Sequence, residues 1–189
     1  MSQPVSVIYD VEITGIAPML QNNVGGSEGV GNVPRNPKRG VAGIKDNPDE
    51  WERKVYRSNG HLGHPGAAIE SALIKAARDF KADKRRTMVE MVKASMFVNE
   101  QFIDLGVKKP DCVNRASAVN PNTKGRGFIY RPQFNAGWKG KFSLTVRNSD
   151  IIPVERIKEI LEHAGRMVGI GDWRPKFGRF IVTEFKARK

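Results

Sequence analysis

Residues 140–185 read GKFSLTVRNSDIIPVERIKEILEHAGRMVGIGDWRPKFGRFIVTEF. Phe142, Leu144 and Val146 alternate with polar neighbours, the period of a half-buried strand. Ser149, Asp150, Pro153 and Glu155 then mark the start of a helix. Val154, Ile157, Ile160, Leu161, Ala164, Met167 and Val168 fall on one face of a 3.6-residue repeat. Gly165, Gly169 and Gly171 mark its end. Residues 177–185 form a closing strand with apolar side chains on both faces, so an inner position is expected.

The first half of the chain supplies a matching set. Val5, Val7, Tyr9, Val11 and Ile13 recur with period two and predict a strand. Residues 21–60 are rich in Gly and Pro, lack a hydrophobic period, and read as a long flexible loop. A turn cluster over 60–66 precedes a helix predicted at 67–82, with Ile69, Ala72, Leu73, Ala76 and Phe80 on its inner face. Residues 87–104 fit either a helical continuation or a bent strand over 95–103. Residues 105–138 form a basic insertion, in which 126–134 suits one arm of a hairpin. The expected class is therefore α+β. It is one RRM-like domain over 1–189, a ferredoxin-like βαββαβ antiparallel sheet carrying the 105–138 insertion. RNA-recognition modules use that arrangement, but so do many enzymes and regulators.

The 189 residues include 32 Lys and Arg against 20 Asp and Glu, a formal charge of +12. The excess comes in blocks. Residues 1–74 hold seven basic and eight acidic side chains, while 108–147 hold nine basic ones and one acid, Asp111. Residues 75–93 hold seven against three, and 166–189 seven against two. Like charges repel, so such blocks suit phosphate contacts better than solubility alone. One cysteine, Cys112, excludes an internal disulfide and a cysteine-based zinc site. No run approaches the roughly 18 apolar residues of a membrane span, and the N-terminus lacks the pattern of a secretory signal. No membrane association and a cytoplasmic setting are expected.

Signals for catalysis are weak. His61 and His64 sit in the turn cluster without neighbouring Asp, Glu or Cys, and His163 lies on a helix. Asp46, Asp49 and Glu50 read as solvated loop acids. There is no phosphate-binding Gly-Lys-Ser/Thr motif and no Gly-x-Ser-x-Gly elbow. Gly165, Gly169 and Gly171 follow a helix instead of opening one, the wrong setting for a dinucleotide fingerprint. No catalytic residue, metal or cofactor is expected. A nuclease using His61, His64 or a loop aspartate is the rival reading.

Signals for binding are stronger. Lys124, Arg126, Phe128, Tyr130, Arg131, Phe134, Trp138, Lys139 and Lys141 interleave cations with flat rings, the pairing that grips phosphates and stacks unpaired bases. Residues 169–180 add Gly169, Gly171 and Gly178, which let a backbone approach a phosphate, beside Arg174, Lys176 and Arg179. Lys38, Arg39, Lys75, Arg78 and Arg115 complete the candidate set. Tyr130 and Trp138 are the expected stacking rings.

The block running from Gly169-Ile170-Gly171 to Gly178-Arg179-Phe180 resembles the glycine-rich loop of the RAMP superfamily, the ferredoxin-like backbone subunits of CRISPR effector complexes. The opening His64-Pro65-Gly66-Ala67-Ala68-Ile69-Glu70 is similar to their first helix. Those subunits often have a nucleic-acid-contacting lysine where this chain has Glu70. The insertion at 105–138 stands where they carry a thumb-like hairpin. Residues 166–175 also look like small phage and prophage proteins. The resemblance implies a protein that binds single-stranded RNA or DNA as a homo-oligomer, in repeated copies along the strand. The alternatives are a RAMP-family endoribonuclease and a self-assembling structural protein of a phage or mobile element.

Overall fold

The structure, a computed structural model, describes residues 6–23, 48–119, 124, 126–147 and 152–188. In chain order its strands begin with β1 (Ser6–Gly15), β2 (Met19–Leu20), β3 (Arg57–Ser58) and β4 (His61–Pro65). Helix α1 (Gly66–Ala76) and helix α2 (Val89–Ser95) lead to β5 (Met96–Val98) and β6 (Phe102–Val107). Then come β7 (Cys112–Val119), β8 (Arg126–Phe134), β9 (Lys139–Arg147), helix α3 (Val154–His163) and β10 (Phe180–Ala187).

The main sheet is antiparallel, in the order β10-β1-β9-β5. Its inner face carries Tyr9, Val11, Ile13, Phe142, Leu144, Val146 and Phe180. Against these pack Ile69 and Leu73 of α1 and Ile157, Ile160 and Leu161 of α3, forming one apolar core. The strand and helix read from 140–163 are where periodicity placed them. So is the start of α1.

Several expectations change. The described residues build three sheets, the others being β2-β8-β7 and β3-β4-β6. Part of the expected 21–60 loop is regular structure: Pro48–Lys54 is a 3-10 helix, and Val55 behind it is fully buried. The rest of that loop, at 24–47, lies outside the described residues, with Lys38, Arg39 and Asp46. The turn cluster over 60–66 is largely strand β4, which pairs with both β3 and β6. Residues 89–107 divide among α2, β5 and β6. The 105–138 insertion does contain a hairpin, β7 with β8.

The first helix stops at Ala76, followed by one 3-10 turn (Ala77–Asp79), short of the expected 82. Asp83 gives the reason. Its Oδ1 accepts the backbone N–H groups of Arg85 and Arg86, both at 2.8 Å, a local pairing that competes with helix. Those bonds and the Arg86 guanidinium hold the Asp83 carboxyl down at about 2.

The closing strand lies at the sheet edge, not inside it, and begins at Phe180. The double-faced apolar pattern has a different cause. A register shift opposite Glu12 and Ile13 inserts one extra residue into β10. Phe180, Val182 and Phe185 therefore all turn inward, and Phe185 stacks on Tyr9 at 4.6 Å. Met167 and Val154 are exposed instead of buried. For Met167 the cause is a π-helical turn over Ala164–Val168, closed by Gly169 N–H donating to the Ala164 carbonyl at 2.8 Å. The wider turn rotates Met167 off the apolar face.

Candidate functional site

Burial decides which of the sequence-predicted residues are available. Tyr130 and Trp138 are 8% and 7% exposed, so neither offers a free ring face for stacking. Trp138 is core: Nε1 donates to the Ala17 carbonyl at 2.9 Å, and the indole meets Phe180 edge-on at 6.3 Å. The Tyr130 hydroxyl accepts from Arg115 Nε at 3.0 Å. Arg115 in turn lies over Phe128, 3.4 Å from the ring centroid. Arg131 is 6% exposed and pairs through Nε with Asp172 at 2.5 Å, so it does not track phosphates.

The glycines also have internal work. Ile170 N–H donates to the Gly178 carbonyl at 2.9 Å, and Gly178 N–H to the Pro18 carbonyl at 2.8 Å. Gly178 has φ +77°, and a Cβ there would lie 1.6 Å from the Ile170 carbonyl oxygen. A Cβ on Gly171 would lie 2.4 Å from the Leu20 carbonyl oxygen, and one on Gly169 would meet the Gly178 carbonyl. The close approach made by these glycines is to the protein's own backbone, not to a phosphate. The loop is folded on itself and sewn to β2.

The open face of the main sheet, where RNA-recognition modules stack bases, is neutralised internally. Glu12 pairs with Lys141 at 2.9 Å and Lys139 at 3.9 Å. Arg188 pairs with Asp10 and donates to Ser143 Oγ at 3.0 Å. Lys186 pairs with Glu184, and Arg147 covers Phe97 at 5.1 Å. Lys139 and Lys141 of the 108–147 block and Lys186 and Arg188 of the 166–189 block are thus engaged. A concavity of about 440 Å³ at the β10 bulge is lined by the same paired Glu12, Glu184 and Lys186.

Cations without a carboxylate partner among the described residues converge elsewhere. Lys75 lies in the last turn of α1 and Arg78 in the 3-10 turn after it, and Arg174 faces Lys75 from the glycine loop. The Arg174 guanidinium is the main influence that pushes the Lys75 ammonium below the usual lysine range, with partial burial and Arg78 adding to it. Like charges brought together this way are relieved by an anion. Lys75 and Arg174 share a pocket of about 390 Å³ with Met167, Asp172, Trp173 and Pro175. Lys176 and Arg179 are exposed on the same loop. Arg115, Lys124 and Arg126 belong to the β7–β8 hairpin or its tip, a different part of the surface.

Trp173 is the residue that sequence reasoning missed. It is 44% exposed, and its rear is fixed by Arg131, whose guanidinium carbon lies 4.6 Å from the ring centroid. Asp172 holds that guanidinium, so the hairpin base and the glycine loop meet at one Asp–Arg–Trp stack. The signal was a tryptophan flanked by Asp172 and Arg174 in a glycine loop. That signal is weaker than the more numerous rings of 124–141.

Glu70 has a structural role. Its Oε1 accepts the Val98 N–H at 2.9 Å and ties α1 to β5. His64 is buried, with Nδ1 3.4 Å from Gln21 Nε2, while His61 pairs with Asp104 at 3.2 Å on the surface. Among the described residues no cluster of three or more His, Cys, Asp or Glu could hold a metal, and no helix is long and apolar enough to cross a membrane.

No protein-family model and no curated protein matches the chain. Among solved structures, it is similar to a chain of the type III-B Cmr-β complex bound to cognate target RNA, with TM-score 0.54 and 11% identity over 97% of its length. It spans 61% of that chain. A chain of the Csm3-Csm4 subcomplex of the type III-A CRISPR-Cas interference complex aligns with 100% of it and 83% of its own length, at 12% identity and TM-score 0.41, too loose a likeness to bear on the fold. At 11% identity the likeness to the Cmr-β chain is one of fold.

Proposed function

We propose that this chain binds single-stranded nucleic acid, RNA in the first instance, along the groove between the end of α1 and the glycine loop. Its role is binding, not catalysis. Repeated copies line the strand. The observation that carries this is the convergence of Lys75, Arg78 and Arg174 without a carboxylate partner among the described residues. The RNA-bound Cmr-β complex gives RNA priority over DNA. The strand order β10-β1-β9-β5, with α1 and α3 packed on one face, supports reading the core as the ferredoxin-like unit.

The test is fluorescence anisotropy with a labelled single-stranded RNA at several salt concentrations. Wild-type protein binds with an affinity that falls steeply with salt. The Lys75→Ala/Arg174→Ala double variant binds on the order of 10- to 100-fold more weakly at low salt, and its log–log salt slope is shallower by about 1.4, at about 0.7 per lost contact on a single strand. Equal affinity and slope for the two proteins sinks the reading. RNA recovered after incubation with Mg²⁺ stays full-length; its cleavage would favour the nuclease.

A further inference from the structure

We infer that the pocket at Trp173 is a one-base subsite, in which the indole stacks a single unpaired nucleobase while Lys75 and Arg174 hold the adjoining phosphate. This rests on the single-strand reading above and specifies where a base, as opposed to the backbone, is gripped.

Four observations carry it. First, Trp173 has φ +55°, a left-handed backbone that a bulky side chain rarely adopts. Such an outlier persists where its surroundings impose it, and it clusters at ligand-binding sites. Second, those surroundings are built. Asp172 N–H donates to the Leu20 carbonyl at 2.8 Å, Phe177 N–H donates to the Trp173 carbonyl at 3.1 Å, and the Phe177 ring lies 6.1 Å away. Arg131 backs the indole, and its own NH1 is buried without a hydrogen-bond partner. Third, the apolar surface is left open beside the charge. Met167, turned outward by the π-helical turn, is 60% exposed in the same pocket. Fourth, these side chains line one open depression of about 390 Å³, so the ring and the cations face the same space. A flat ring and a thioether beside two cations match the chemistry of one nucleotide: an aromatic base and a phosphate. A site for phosphate alone gains nothing from the exposed indole and methionine.

The experiment compares a normal labelled single-stranded RNA with an abasic ribose-phosphate strand of the same length. Wild type, Trp173→Ala and Trp173→Phe are titrated with both. Wild type prefers the base-bearing strand by roughly 10- to 100-fold, as expected when a stacked base is lost. Trp173→Ala binds the two strands about equally, and Trp173→Phe keeps most of the preference. If wild type binds both strands alike, the stacking subsite is wrong while the phosphate-binding reading stands. If Trp173→Ala keeps the wild-type preference, the bases are read elsewhere and the inference also fails. If neither strand binds wild type, the single-strand reading itself falls.

Discussion

Gly178→Ala unfolds at a far lower denaturant midpoint than Gly60→Ala. Both glycines have a left-handed backbone, with φ of +77° and +79°. Placing alanine in that region costs on the order of 1–2 kcal/mol at either site. The surroundings separate them. A Cβ on Gly60 meets nothing within 4 Å, whereas one on Gly178 would sit 1.6 Å from the Ile170 carbonyl oxygen. That neighbour is backbone and cannot rotate away. Relief requires parting the two strands of the loop, which breaks the Ile170-to-Gly178 hydrogen bond and strains the Gly178-to-Pro18 bond. The steric and hydrogen-bond losses together take the cost beyond roughly 4 kcal/mol, a large share of a domain's stability. Chemical denaturation of the two variants checks this. A Gly178→Ala protein with a midpoint near that of Gly60→Ala would show that the glycine loop is not packed as described.

The same loop shows what the sequence made legible and what it did not. Strand β9, helix α3 and the start of α1 follow from local periodicity, because each buries one face and the pattern repeats every two or 3.6 residues. The glycines were visible too, but their partner was not. Gly171 faces a peptide of β2, which lies about 150 positions earlier in the chain, and Gly169 and Gly178 face the backbone of the loop folded back on itself. The rings failed for a similar reason. Trp138 is core because the Ala17 carbonyl, 121 positions away, receives its N–H. Arg131 is buried because Asp172, 41 positions away, neutralises it. A local pattern of cations and rings cannot separate these from exposed residues, since burial is a property of the tertiary partner. The charge blocks misled in the same manner. Lys139 and Lys141 answer Glu12 across the sheet, and Arg188 answers Asp10. Lys75, Arg78 and Arg174, three of the cations without a carboxylate partner among the described residues, come from two blocks brought together by the fold. Short strands such as β2 and β3 and the β10 bulge are too small to leave a period.

Lowering the pH from 7 to 5 removes about 2 kcal/mol of folding stability through His64, and about 3 kcal/mol is gone by pH 4. The imidazole is 4% exposed, and burial, aided by the Arg174 charge, pushes its pKa from 6.5 down to about 3. Gln21 fixes the ring. Its Nε2 donates to the Gly63 carbonyl at 2.7 Å and faces His64 Nδ1 at 3.4 Å, while its Oε1 accepts the Tyr56 N–H at 3.0 Å. An amide donor facing Nδ1 suits the neutral ring and opposes a proton there. The sign follows from the two states. Below pH 6.5 the unfolded chain takes up a proton that the folded chain refuses until about pH 3, so stability falls with pH across that window by about 1.4 kcal/mol per unit. The carboxylates with depressed values, Asp10, Glu12 and Asp83, also lose stability on acidification, but only as pH drops past the ordinary carboxylate range near 4. Between pH 6.5 and 5 these carboxylates contribute little, and the decline there is the part assigned to His64. Urea titrations at half-unit steps measure it. His64→Asn flattens the profile over that interval whatever its absolute stability, while Arg174→Ala leaves the interval steep and shallows the profile only at lower pH, because burial is the larger cause. A wild-type profile already flat from pH 7 to 5, or a His64→Asn profile just as steep, would mean that the imidazole is solvated and that the Gln21–His64 contact does not hold β2 against β4.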